Sequence, residues 1–421
     1  MRILYAVHAY KPSFRVGGPV LSVSSAAERL VRRGHEVIVF TTNSNLDEDL
    51  DVPVNQPADV EGVEVWYFKR QEPVQKWLPF IPYLSRSLGF LYCPAMKPAL
   101  DRIVPGVDVV DTHMPFVYPT YAAAHAAFRH QRPLFYHQRG NFNPARLRFR
   151  AAKKRLYIAA IERPIMRRAT TLIALTEAER EGFRALGVDT HCEVIPNGID
   201  LPPVPEGAAA RIEALFNIPP GAPVVLFLGR LHPIKGADTL LEAFIAAAQR
   251  VPDAVLVMAG PDEWQMTSKW QQRIAHHNLQ DRIIFPGMIA GRQKDDMLAR
   301  ADLFCLPSVG EGFSMAALEA LASSTAVLLS PGCNFPEVET SGAGTIVDAD
   351  PGRMTAALVH LLGDRDRLRR MGEAGFRLVA RDYTWDAITD RLIAAYEEGA
   401  ARFAREKLAI TSVTAVGRTL E

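Results

Sequence analysis

The chain has 421 residues, too many for one ordinary core, and its 48% hydrophobic and 23% charged composition is that of a globular protein of two or three domains. A formal charge of +1 leaves no global basic field, which argues against nucleic acid as a partner. No apolar run reaches the roughly eighteen residues of a membrane span, and the scattered Cys93, Cys192, Cys305 and Cys333 lack metal spacing, as reduced thiols of a cytoplasmic protein would.

Met1 to Val7 has no signal-peptide layout and reads as a first strand, with Ile3–His8 strongly apolar. A loop through Gly17 and Gly18 follows, then a helix over Val20–Arg33 ended by Gly34, then strand Val37–Phe40. Strand, helix, strand is a βαβ unit and implies a parallel sheet with right-handed crossovers. Paired glycines after a first strand let the backbone approach a ligand closely, although a plain βα turn uses them too. Further strands are expected at Val63–Phe68, Val107–Asp111, Pro133–His137, Thr171–Leu175 and Glu193–Ile195. The acidic stretch 44–60 reads as a loop. Residues 73–98, with Trp77 and Phe80 among many aromatics and five prolines, are too broken for one helix.

Pro196-Asn197-Gly198-Ile199-Asp200 and the prolines after it mark a hinge. The alternation then restarts with strand Val224–Leu228, helix Ala237–Gln249, strand Ala254–Ala259, a helix near Lys269–His277 and strand Ile283–Phe285. Helix Gln293–Arg300, strand Leu303–Leu306, helix Met315–Ala322 and strand Ala326–Ser330 complete it. The expected architecture is α/β, two doubly wound Rossmann-like domains of about 190 residues each, with ligands at the carboxyl edges of the strands. The divisions are 1-200, 201-385 and a C-terminal helix with tail, 386-421, packing back on the first domain.

Ser308 to Ala320 carries the strongest chemical signal. A strand, a tight turn with Glu311, and an Ala- and Leu-rich helix from Met315 put a carboxylate at a helix N-terminus, whose amides suit a diphosphate. Glu319 follows eight residues on, roughly 12 Å along a helix. A capped amphipathic helix with two surface carboxylates is the alternative at this level. Arg230 and Lys235, on the loop after strand Val224–Leu228, add a guanidinium and an ammonium suited to phosphate oxygens.

Gly229-Arg230-x4-Lys235-Gly236 followed by Glu311-Gly312-Phe313-x5-Glu319-Ala320 resembles the family 4 glycosyltransferases of the GT-B fold. The resemblance continues through Asn197-Gly198-Ile199-Asp200 and Pro331 to Val338 and ends near Tyr383-Thr384-Trp385. His137-Gln138-Arg139-Gly140 before a basic helix resembles members that build bacterial surface polysaccharides. The resemblance implies a retaining, metal-independent transferase that moves a sugar from a nucleoside-diphosphate sugar to a glycan or polyprenyl-diphosphate-linked acceptor, with no cofactor. Arg230 and Lys235 would hold the donor diphosphate, aided by Gly17 and Gly18. Glu319 would bind the ribose, and Glu311 the sugar near the reacting carbon. Gly312, Phe313 and Ser314 would offer backbone amides, and His113 would face the transferred sugar. Asp111 departs from the small or neutral residue usual near that histidine. Sugar-nucleotide epimerisation, phosphorolysis and silent nucleotide-sugar binding are the competing functions.

Four D-x-D triplets, Asp47–Asp49, Asp49–Asp51, Asp348–Asp350 and Asp364–Asp366, fall in loop settings, and no histidine cluster has zinc spacing. Between Arg139 and Arg168 ten Lys or Arg oppose one acid, Glu162. With Leu147, Phe149, Leu156, Tyr157 and Ile158 they form a basic amphipathic segment. A solvated face is one reading. Contact of Arg146, Arg150, Lys153 and Lys154 with an anionic inner-membrane face or a lipid-diphosphate acceptor is the other.

Overall fold

The computed structural model describes residues 1–46, 48–71, 91–142, 151–203 and 205–418. The chain divides into two compact units, Met1–Pro196 with Trp385–Glu421, and Asn197–Thr384.

Among the described residues the first unit has ten short strands. They are β1 (Arg2–Ala6), β2 (Glu36–Thr42), β3 (Ser44–Asn45), β4 (Glu48–Asp49), β5 (Pro57–Val60), β6 (Val63–Phe68), β7 (Val109–His113), β8 (Leu134–His137), β9 (Thr171–Ala174) and β10 (Cys192–Val194). Eight form one sheet in the order β10-β9-β8-β7-β1-β2-β6-β5. All its pairs are parallel except β5 against β6. The apolar runs Ile3–Ala6 of β1 and Val37–Phe40 of β2 are buried on both faces, as a parallel sheet requires. One face packs the helices Met96–Ile103 and Tyr118–Arg129; the other packs Gly18–Arg32 and the first turns of the helix Trp385–Arg418.

Stretch 44–60, expected as a loop, holds β3, β4 and β5. Its polarity misled because β5 is an antiparallel edge strand with alternating exposure, and β3 with β4 is a two-residue ladder. The aromatic stretch around Trp77 and Phe80 lies outside the described residues.

In the second unit β11 (Val224–Leu228), β12 (Val255–Ala259), β13 (Ile283–Gly287), β14 (Leu303–Leu306), β15 (Ala326–Leu329) and β16 (Gly344–Ile346) form an all-parallel sheet, ordered β13-β12-β11-β14-β15-β16. β16 is three half-buried residues, too short to announce itself by pattern. Each sheet reverses its strand order once, between β1 and β7 and between β11 and β14. Those two switch points, at the carboxyl ends of the strands, are where an open α/β sheet leaves a crevice.

Candidate active site

In the second unit three loops meet at the switch point. Gly229 to Gly236 follows β11, Pro307 to Ser314 follows β14, and Ser330 to Asn334 follows β15. The first two are tied by Val309 N and Ser308 Oγ, both donating to Ile234 O at 2.9 Å. Glu311 N donates to Gly332 O at 2.8 Å, and Asn334 Nδ2 donates to Glu311 O at 2.7 Å. Two glycines permit this closeness. A Cβ on Gly236, whose φ is +70°, would lie 2.0 Å from Pro307 O, and one on Gly332 would lie 2.2 Å from Ser308 O.

The loops bring Lys235 and Glu311 together at 2.7 Å, with the Glu311 side chain 8% exposed and that of Lys235 25%. An ammonium has three donors, so the pair orients Lys235 without exhausting it. Ser314 caps the helix Met315–Ala322, its hydroxyl accepting from Ala317 N at 3.3 Å. Gly312 is half-buried, and Phe313 is wedged against Phe335 and Tyr383 at ring-centroid distances of 5.4 and 6.0 Å. Arg230 projects from the same loop as Lys235 but is exposed, 3.6 Å from Glu263. Glu319 lies on the buried helix and pairs with Lys294 at 2.9 Å. Sequence reasoning missed Lys294 and Asn334, because neither has a spacing that announces its partner. Beneath the site, burial and then the charge of Glu311 push the Cys333 thiol up to about 11, so it stays protonated and donates to Leu306 O.

In the first unit Gly17 (φ +92°) is the exposed N-cap of Gly18–Arg32, at the switch after β1. His113 was expected just after its strand; it is the last residue of β7 and is 2% exposed. The strand is shifted by two residues because Asp111 and His113 are themselves buried, so polarity gave the wrong end. Burial drives the His113 pKa well below the ordinary value, with His137 and Arg139 adding to it, and lowers that of His137 despite Asp111.

Both imidazoles bind protons more weakly folded than unfolded, so below the unfolded value of about 6.5 acidification favours the unfolded chain. Amide hydrogen exchange in β7 and β8 should quicken, after correction for intrinsic rates, between pH 7 and 5. Unchanged protection would contradict the buried neutral pair.

The D-x-D triplets in the second unit are helix caps. Asp350 accepts from Arg353 N at 2.9 Å and Asp364 from Arg367 N at 2.8 Å. Asp49 holds Arg70 at 2.6 Å, while Asp47 lies outside the described residues.

Of the basic segment, Arg146 and Arg150 lie outside the described residues. Lys153, Arg155, Arg167 and Arg168 are exposed, Lys154 is half-buried, and Leu156 is 71% exposed. The expected helix is broken by a π turn at Ile158–Glu162. Its lone acid, Glu162, faces inward: it accepts from Phe116 N and the Tyr136 hydroxyl, each at 2.7 Å, and burial raises its pKa. The outer face is left cationic.

Two family profiles match this chain. Residues 17–198 match the glycosyl transferase 4-like domain and residues 210–378 match glycosyl transferases group 1. The chain belongs to the family 4 glycosyltransferases. It is 32% identical over 249 residues to the D-inositol 3-phosphate glycosyltransferase of Nocardia farcinica, a match covering 56% of this chain and 54% of that protein. It is 31% identical over 258 residues to the phosphatidyl-myo-inositol mannosyltransferase of Mycobacterium tuberculosis, covering 59% and 65%. The matches therefore span about half to two thirds of those relatives. Among solved structures, Anabaena HepE in complex with UDP superposes with a TM-score of 0.71 at 18% identity, covering 94% of this chain and all of that one. Sucrose-phosphate synthase of Thermosynechococcus elongatus gives 0.67 at 20% identity, covering 95% and 99%. These likenesses establish the GT-B fold for this family member.

Proposed function

We propose that this glycosyltransferase moves a sugar from a nucleoside-diphosphate sugar to a glycan or lipid-linked acceptor with retention of configuration, in bacterial surface-polysaccharide synthesis. The observation that carries the reading is the Lys235–Glu311 pair held at the switch point of the second sheet, beside the capped helix Met315–Ala322. Departure of the diphosphate builds negative charge on phosphate oxygens. Lys235, Arg230 and the helix amides answer it as fixed positive groups that need no reorganisation. Glu311 and His113 orient hydroxyls of the transferred sugar, Glu319 takes the ribose, and no metal or cofactor enters. Gly17 and Gly18 add backbone donors.

The test is a panel of nucleotide sugars against glycan, inositol-containing and polyprenyl-diphosphate acceptors, read by product mass, anomeric configuration and released nucleotide, with and without a chelator. The names of the relatives motivate the inositol acceptors. Expected is a retained glycoside plus nucleoside diphosphate, undiminished by chelation. Epimerised donor, a sugar phosphate, or no turnover would replace the reading with one of its competitors.

The cationic outer face of the basic segment and exposed Leu156 support reversible contact with anionic lipid. No helix among the described residues is long and apolar enough to cross a membrane. Each cation near such a surface contributes about 1 kcal/mol, decaying over about 8 Å at physiological salt. Co-sedimentation with vesicles should rise with anionic lipid and fall with salt. Lys153→Glu with Arg155→Glu should remove most of it and spare donor affinity; equal binding to neutral vesicles would return the segment to a solvated face.

A further inference from the structure

The first unit holds a buried polar network of which the transfer chemistry above uses only His113. Asp111 and His113 lie two residues apart on β7, so their side chains leave the same face of the sheet. Parallel register sets His113 beside His137 and Asp111 beside Tyr5. Asp111 is fully buried, and its Oδ2 accepts from His137 Nε2 at 3.0 Å and from the Tyr396 hydroxyl of the C-terminal helix. With that proton committed, Tyr396 accepts from the Tyr5 hydroxyl at 3.0 Å. On the other side Arg139 Nε donates to His113 Nδ1 at 3.1 Å, and its Nη1 donates to Ser22 Oγ at 3.3 Å.

These partners dictate the tautomers. A guanidinium only donates, so His113 keeps a lone pair on Nδ1 and its proton on Nε2. A carboxylate only accepts, so His137 keeps its proton on Nε2 and a lone pair on Nδ1. His113 Nε2 is 3.8 Å from Asp111 Oδ2, too far for a hydrogen bond. Among the described residues three buried atoms of this network have no hydrogen-bond partner: His113 Nε2, His137 Nδ1 and Asp111 Oδ1. A network serving packing alone would satisfy its own atoms, since each orphan costs the desolvation of a polar group. The ligand-type atoms of Asp111, His113 and His137 lie within 4.8 Å of one another, a spacing that suits a cation. Arg139 argues against one, because it leaves His113 no lone pair on Nε2 and adds a positive charge beside the group.

We propose that Asp111 and Tyr396 are positioning residues: the C-terminal helix, through the Tyr396 hydroxyl, pins the Asp111 carboxylate, which locks His137 as its Nε2–H tautomer. The histidine pair then offers one donor, His113 Nε2–H, and one acceptor, His137 Nδ1, which matches a hydroxyl that both gives and takes a hydrogen bond. That the hydroxyl belongs to the transferred sugar rests on the transferase reading; the tautomer lock does not. It also gives the C-terminal helix, whose Tyr396 is 285 positions from Asp111 in sequence, a hold on the histidines through that carboxylate.

The test is nitrogen NMR of histidine-labelled full chain, which separates protonated from unprotonated ring nitrogens, on the unaltered protein, Asp111→Leu and Tyr396→Phe. In Asp111→Leu the acceptor facing His137 Nε2 is gone, and His137 should lose its fixed Nε2–H tautomer. Tyr396→Phe keeps the ring and removes the donor, so His137 should become a mixture of tautomers. Turnover should fall about 10-fold with donor KM little changed, the usual effect of removing an orienting partner. Near-ultraviolet circular dichroism checks that both variants fold. An unchanged His137 tautomer in both variants overturns the proposal, whether or not activity falls. A changed tautomer with full turnover upholds the lock and instead removes the histidines from the transfer reaction.

Discussion

Glu311→Gln is expected to cut turnover about 10²-fold while leaving the affinity for plain nucleoside diphosphate nearly unchanged, the scale seen when one preorganised polar group is lost. Lys235→Met should do the reverse. Loss of one charge-assisted contact to the diphosphate costs roughly 1.5–3 kcal/mol, or about 10- to 150-fold in affinity. The structure adds a complication, because the two side chains are ion-paired at 2.7 Å and Glu311 is buried. Lys235→Met therefore also takes the ammonium away from a buried carboxylate and should lower the stability of the second unit. The double variant, neutral at both positions, should recover that stability without recovering affinity. Arg230→Ala should weaken nucleotide binding without any stability loss, since Arg230 is exposed. Calorimetry with a nucleoside diphosphate and denaturant titration read the two quantities separately. If Glu311→Gln weakens the plain nucleotide as much as Glu319→Gln does, the division of labour between the carboxylates is wrong. If neither Lys235→Met nor Arg230→Ala changes nucleotide affinity, the donor site lies elsewhere.

The second large effect is expected at Gly236. A methyl there would sit 2.0 Å from the Pro307 carbonyl oxygen, and φ of +70° already disfavours any other residue. The conformational strain alone is worth about 1–3 kcal/mol. The clash is with backbone, so the β11 and β14 loops must also separate, carrying Lys235 from Glu311. Gly236→Ala should therefore lose both stability and nucleotide affinity, the latter by at least about tenfold if the Lys235 contact goes. Gly287→Ala is the control, with φ of +72° and open space around the new methyl. It should show the conformational cost alone and bind nucleotide normally. Equal behaviour of the two variants would mean that the loop contact contributes nothing to the site.

Much of this molecule was legible in its sequence, for local reasons. Strands that run as unbroken Val, Ile, Leu and Phe, punctuated by Gly and followed by helices, force parallel βαβ units whichever protein carries them. The helix Met315–Ala322 was placed to the residue by its Ala and Leu content. Lys235 and Glu311 were marked because each follows a strand end, where an open sheet presents its loops. Polar edge strands were not legible, since β5 alternates like a loop and β16 is only three residues. Nor were the pairings. That Lys235 meets Glu311, that Lys294 meets Glu319, and that Glu162 turns inward are decided by strand order and packing, which no local spacing encodes. The histidine network is the extreme case. The sequence ended a strand at Asp111 and left His113 beyond it; only the fold put both on β7, only the β7–β8 register brought His137 beside them, and only the returning C-terminal helix brought Tyr396. Residues far apart in sequence become neighbours through the burial of a whole sheet face. That burial depends on the summed apolar surface of many elements, not on the few polar groups it encloses.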